Sequence, residues 1–185
     1  MPSVRLQRPD PSEYNARFAN EIGIVPDTDD FGELLRQQAR ETEAFMSAEF
    51  GEGHANVRYA PDKWTAREVI GHVSDCERIL AYRALRIARN DQTALPGFDE
   101  NAYVPAAEFE RRTLRSVLDE FLAVRSATAA LVDSLTNDVA ARVGNLGSGR
   151  MSVRALLYLI AGHERHHGVL LRERYLPCIP ASKPR

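Results

Sequence analysis

The sequence predicts an all-α protein, a four-helix bundle with a long crossover connection and an irregular N-terminal arm. Three observations carry that expectation. Apolar residues recur at helical spacing in four long stretches. Residues that start helices precede those stretches, most clearly in Thr65-x-x-Glu68. No strand-like alternation of any length, no repeat of about 20 to 50 residues and no low-complexity segment interrupts them.

The first thirty residues carry Pro2, Pro9, Pro11 and Pro26 with little periodicity. Residues 1–28 therefore read as an irregular arm packed on the domain rather than as a helix. Asp29 or Asp30 can cap a first helix whose apolar positions are Phe31, Leu34, Leu35, Phe45, Met46 and Phe50, with Gly51 and Gly53 breaking it. The second helix starts at the Thr65/Glu68 capping box, with Trp64 and Val69 placed to staple it, and runs to about Arg89. Its buried stripe is Val69, Val73, Cys76, Ile79 and Leu80. At about 100° per residue, His72 falls inside that stripe.

Asn90 to Pro105 reads as a long connection, a crossover or a lid over one end of the bundle. A third helix is expected over roughly residues 106–135, with Phe109, Leu114, Val117, Leu118, Phe121 and Leu122 inward. A loop from Gly144 to Gly149 leads to the fourth helix, capped by Ser152, whose stripe is Leu156, Leu159, Ile160, His163, His167 and Leu170. The bundle spans residues 29–176, and 177–185 form a tail.

A chain of 185 residues with 44% hydrophobic and 27% charged residues suits one globular domain with a sizeable core. A formal charge of -2 argues against a nucleic-acid partner, whose recognition needs a strongly basic surface. No apolar stretch approaches the roughly 20 residues of a membrane helix, and no apolar leader follows the N-terminus, so a cytoplasmic protein is expected. Two cysteines, Cys76 and Cys178, fit a reducing compartment rather than a disulfide scaffold.

His163-Glu164-Arg165-His166-His167 matches H-E-x-x-H, the helix motif of zinc proteases. That chemistry needs a third ligand, and no histidine follows His167. Glu173, six residues on, lies roughly 120° around the same helix and cannot close the site. Any third ligand therefore comes from upstream. A lone histidine on an apolar face is usually a core residue bonded to a carbonyl. Three such histidines, His72, His163 and His167, are more readily satisfied by one divalent cation with a water as fourth ligand.

The segments WTAREVIGHVSDCERILAYRALRIARND, LPGFDENAYV and SVRALLYLIAGHERHHGVLLRERYL resemble the DinB-like metal-binding proteins, a superfamily that includes bacterial thiol transferases. The likeness covers nearly the whole chain. It implies a bundle of the DinB type that holds a divalent metal, zinc or nickel, through His72, His163 and His167. It also implies a metal-dependent transferase acting on a low-molecular-weight thiol such as bacillithiol. The family pattern does not require Glu164, so the protease motif is coincidental. A metal-dependent hydrolase and a non-enzymatic, stress-related metal-binding protein are the alternatives.

Among the neighbours, Glu164 and His166 are expected to be solvated or to face a second subunit, with His166 able to shuttle protons. Cys76, one turn after His72, is either a small core residue or a further ligand. Asp75 can hold an imidazole N–H or a partner across helices. Arg83, Arg86 and Arg89 form a basic edge, solvated or facing an anionic thiol cofactor. Asn101 and Tyr103 either cover the metal pocket or merely pack. Apolar residues on the first and third helices suggest a homodimer, unless Tyr14, Phe18, Ile22 and Ile24 of the arm cover that surface.

Overall fold

The computed structural model describes residues 6–147 and 149–180. Pro2 of the arm and the last five residues of the tail lie outside them. Helix α1 spans Ala19–Gly23, α2 Phe31–Phe45, α3 Gly51–His54, α4 Ala66–Ala88, α5 Glu100–Ala107, α6 Leu114–Asp133, α7 Asn137–Ala140 and α8 Val153–Leu170. Strands β1, Val143–Leu146, and β2, Gly149–Ser152, pair as an antiparallel hairpin. The bundle is α2, α4, α6 and α8, with the main packing of α4 on α8 and α6, and of α2 on α6.

The expected caps are in place. Asp30 accepts from Glu33 N at 2.8 Å and starts α2. Thr65 Oγ1 accepts from Glu68 N at 3.1 Å while Glu68 Oε2 accepts from Thr65 N at 2.6 Å, which fixes the first turn of α4. Ser152 Oγ accepts from Ala155 N at 3.0 Å and starts α8. Inward positions of the four stripes are buried as expected, except that Leu34, Phe45, Ile79, Leu122, His163 and Leu170 are only half-buried.

Four local expectations are corrected. The crossover contains a helix, α5, capped by Asp99, whose carboxylate accepts from Asn101 and Ala102 N. The third bundle helix starts at Leu114, not Ala106, because Glu108 turns left-handed at φ 48° and Thr113 opens a new helix. The 144–149 loop is mostly strand, with Gly149 at φ 116° inside the hairpin, a conformation that a side chain strains. The arm is not irregular throughout: two 3-10 turns and α1 give it regular structure.

Close backbone approaches lock the connections to the bundle. A Cβ on Gly71 of α4 would meet the Phe109 ring at 2.3 Å, so the segment after α5 seats on bare helix backbone. A Cβ on Gly162 of α8 would lie 1.9 Å from Glu21 O, so α1 rests directly on the helix that carries two of the histidines. The crossover is stitched to the hairpin by Leu95 N to Asn145 O, 3.0 Å, and Gly147 N to Leu95 O, 2.9 Å. Arm residues Leu6, Ile22 and Val25 are buried, and Arg8 donates to Ile22 O and Val25 O.

The middle of the bundle is ionic. Arg125 of α6 is 1% exposed and donates to both Glu77 oxygens of α4, from Nε at 2.9 and 3.0 Å and from Nη2 at 2.8 Å. Its other arm reaches Glu164 of α8 and Leu35 O of α2. Gln38 and Thr42 of α2 also donate to Glu164, at 3.3 and 2.7 Å. Breaking such a set from one side leaves buried charge without a partner. Arg125→Ala should therefore lower the unfolding free energy by about 3–5 kcal/mol. A loss under about 1 kcal/mol in urea titration would show that water takes over the carboxylates.

Candidate metal centre

His72 stands two turns into α4 from the Thr65 cap, and His163 and His167 one turn apart on α8. The packing of α4 on α8 brings the three rings together. Nε2 of His163 lies 3.2 Å from Nε2 of His72 and 3.1 Å from Nε2 of His167. The three candidate ligand atoms all fall within 4.8 Å of one another. Nitrogens on a tetrahedral zinc, with bonds of about 2.0–2.1 Å, would stand roughly 3.3–3.4 Å apart, so the cluster is close to that size.

The donor set fits a cation better than it fits hydrogen bonds among the rings. A neutral imidazole Nε2 carries either a proton or a lone pair, so His163 cannot donate to one neighbour and accept from the other. The rings are held neutral. Burial pushes His72 down to about 4, against the pull of Glu100. Burial, then His72, His166 and Arg125, push His163 down to about 3. His167 falls well below its ordinary value through burial and the same neighbouring rings. Its Nδ1 is buried without a hydrogen-bond partner.

Neighbours orient the rings and close the site. Trp64 packs on His72 with ring centroids 4.6 Å apart. Cys76 Sγ lies 3.6 Å from His72 Nδ1 and 3.8 Å from Nε2, but it is not one of the clustered donors. Burial, with Glu100 and Asp75, pushes its thiol up to about 12, so it is a poor nucleophile. Asp75 does not hold an imidazole in the hydrogen bonds found; it accepts from Arg78 at 3.3 Å.

The histidines open on a cavity of about 520 Å³. Phe18 and Glu21 of the arm, Phe98 and Asn101 of the crossover, Gly147 of the hairpin and Arg83 of α4 help to line it. Asn101 thus lines the pocket, while Tyr103 packs on Phe98 with ring centroids 5.3 Å apart and the planes tilted by 56°. His166 is exposed and reaches the same cavity. Arg83 is not solvated; it is buried and donates to Pro96 O at 2.7 Å. Arg86 is tied to Asp91 and Tyr82, and Arg89 is exposed.

Glu164 is the largest departure from expectation. It is 3% exposed and is spent on Arg125, Thr42 and Gln38, away from the histidines. Burial pushes its carboxyl up, with Glu77 adding to the effect and Arg125 and Thr42 opposing it. Sequence reasoning also missed Glu21 and Glu100, the carboxylates in the cavity. Glu21 sits in a segment without periodicity and Glu100 in the supposed loop, so no pattern singled them out.

A bundle with two long connections and three histidines facing a cavity defines a class of metal-site helical proteins. The chain belongs to the DinB superfamily, whose family profile matches residues 29–170. It is similar in fold to YfiT from Bacillus subtilis, described as a probable metal-dependent hydrolase with an unusual four-helix bundle topology. The TM-score is 0.66 at 18% identity, over 86% of this chain and 93% of that one. It is 26% identical over 149 residues to a proline–tRNA ligase of Haloquadratum walsbyi, a match covering 78% of this chain and 29% of that protein. The chain thus spans less than a third of that relative. No helix among the described residues is long and apolar enough to cross a membrane.

Loss of one imidazole should be felt as loss of metal. His163→Ala is expected to cut bound divalent metal at least tenfold, and elemental analysis matching wild type would remove His163 from the site. Stripped of metal, the chain should weaken as pH falls below 6.5. There the unfolded histidines take up protons, while folded His72 and His163 stay neutral until about pH 4 and 3. Stability rises with pH where the unfolded state binds more protons, by up to about 1.4 kcal/mol per pH unit for each histidine. Urea midpoints at pH 7 and 5 measure this. An equal drop in a variant lacking both histidines would rule out the imidazoles as its cause.

Proposed function

We propose that the protein is a divalent-metal-dependent thiol S-transferase that activates a low-molecular-weight thiol at His72, His163 and His167. The observation that carries the reading is the convergence of three neutral imidazoles, through Nε2, on one wall of a cavity large enough for a small molecule. Zinc and nickel both suit such a donor set. A cation on three nitrogens keeps a position open and lowers the pKa of a thiol or water arriving there.

The rest of the wall favours a thiol over water. A hydrolase of the zinc-protease kind needs a carboxylate to take a proton from water, and Glu164 is committed to Arg125 on the far side of α8. The thiol that lines the cavity, on Cys76, is held protonated by burial, so the reacting sulfur is supplied from outside. Phe18, Trp64, Leu80 and Leu159 supply apolar walls that exclude water from a bound partner. A hydrolase remains the second reading, supported by what is said of YfiT and by Glu21 and Glu100 in the cavity. A homodimer in a reducing compartment is part of the proposal. Exposed Tyr82 and Leu85 on α4 support it; α2 and α6 expose no large apolar side chain.

Conjugation of a low-molecular-weight thiol to an electrophilic aryl halide, assayed beside hydrolysis of an activated ester, separates the two chemistries. Metal-dependent conjugation with little ester hydrolysis is expected; the reverse result would replace the transferase with a hydrolase. Glu164→Gln should leave metal content and rate within a few-fold of wild type while lowering the urea midpoint. A rate loss beyond about 100-fold, the scale of a lost general base, would return Glu164 to the chemistry.

A further inference from the structure

We propose that the cavity takes a ligand bearing a small oxyanion group, a carboxylate or a phosphate, held by Arg83 of α4 and Arg17 of the arm while its other end lies against the histidines. The inference deepens the functional reading above and rests on it for the role of the cavity, although the binding it predicts can be measured without any turnover.

Arg83 is the odd arginine of the interior. At 9% exposure it has no carboxylate at ion-pair distance among the described residues, whereas Arg125, Arg67 and Arg154 each have one. A guanidinium offers five N–H donors, and the hydrogen bond found for Arg83 uses one nitrogen, on Pro96 O. Its carbon lies 5.4 Å from the centre of the Phe98 ring, and both side chains line the cavity. The remaining donors face the cavity rather than a carboxylate, which leaves the guanidinium free to take an anion there.

Arg17 supplies the second cation from the opposite element. It lines the same cavity, lies over Phe18 with 4.4 Å to the ring centre, and has no ion pair among the described residues. The two guanidiniums act on each other: burial and then the Arg17 charge lower the Arg83 pKa. Two like charges facing one space repel until an anion lies between them, and planar guanidinium forks match carboxylate and phosphate oxygens.

The two carboxylates in the cavity do not answer that demand. Glu21 Oε2 is buried with no hydrogen-bond partner, and the Glu100 charge falls on His72 and Cys76. Neither forms an ion pair with Arg17 or Arg83. With aromatic walls from Trp64 and Phe98, the ligand is an elongated molecule, anionic at the arginine end.

Binding is tested on the full chain, with its divalent metal and after stripping. Acetate, succinate and inorganic phosphate are titrated against chloride of equal ionic strength and followed by the arginine Nε–H resonances in NMR. Saturable, roughly millimolar binding of a carboxylate or of phosphate is expected in the stripped chain, and the tighter arm identifies the oxyanion. Arg83→Gln should weaken it about tenfold and Arg17→Gln, at an exposed position that cannot unfold the core, at least threefold; Arg86→Gln should leave it unchanged. No saturable binding above chloride overturns the proposal. So does binding that needs the metal and survives both the Arg83 and Arg17 substitutions, which would assign the anion to the cation. Failure of the thiol assay leaves these titrations standing, and the reverse holds too.

Discussion

Arg125 has left water altogether, and two carboxylates have followed it, Glu77 from α4 and Glu164 from α8. With Leu35 O, Gln38 and Thr42 of α2 in the same set, every helix of the bundle contributes an atom. Buried ion sets of this kind add little to net stability against an apolar core, but they tolerate few alternative arrangements. Here the geometric consequence is the rotation of α8 about its own axis. Consecutive residues stand about 100° apart around a helix, so Glu164 turned to Arg125 leaves His163 and His167 facing α4. The histidines meet His72 because their neighbour is held elsewhere.

That arrangement also explains why an H-E-x-x-H string sits in a site of another kind. The spacing puts both imidazoles on one face in any helix that carries it, and the identity of the third ligand depends on the helix opposite. What the glutamate does depends on its own side of α8, where a guanidinium waits. Spacing within one helix carries ligand geometry, whereas the use of a flanking residue belongs to tertiary packing.

Much of the fold was legible because its signals are local. The Thr65/Glu68 box, the Asp30 and Ser152 caps and the apolar stripes each act within one or two turns, and their residues sit where the sequence put them. The three histidines stood out as polar interruptions of those stripes. Hidden features were non-local. Helix α5 depends on the Asp99 cap inside a stretch rich in turn-formers, and the hairpin is held partly by Leu95 of the crossover. Arg125 and Glu77 belong to no motif, though a signal was present: Glu77 falls four residues after Val73 and three before Leu80, and Arg125 four after Phe121, all buried. Similarly, α4 carries Arg83, Arg86 and Arg89 in a regular row, and only their neighbours across the fold decide that the first is buried, the second paired and the third exposed.

The seat of Glu21 on Gly162 has a consequence for how the protein is made. Ribosomes deliver the arm first and α8 late, so the arm emerges before the surface that holds it exists. His72 likewise waits 91 residues for His163. At about 5–20 residues per second, that is a delay of roughly 5 to 18 seconds in which the nascent chain has one imidazole of the three. One imidazole is a weak trap for any cation, so the growing chain takes up little metal from its surroundings. Loading becomes a late event in biosynthesis, after the last bundle helix has docked and the arm has closed over it.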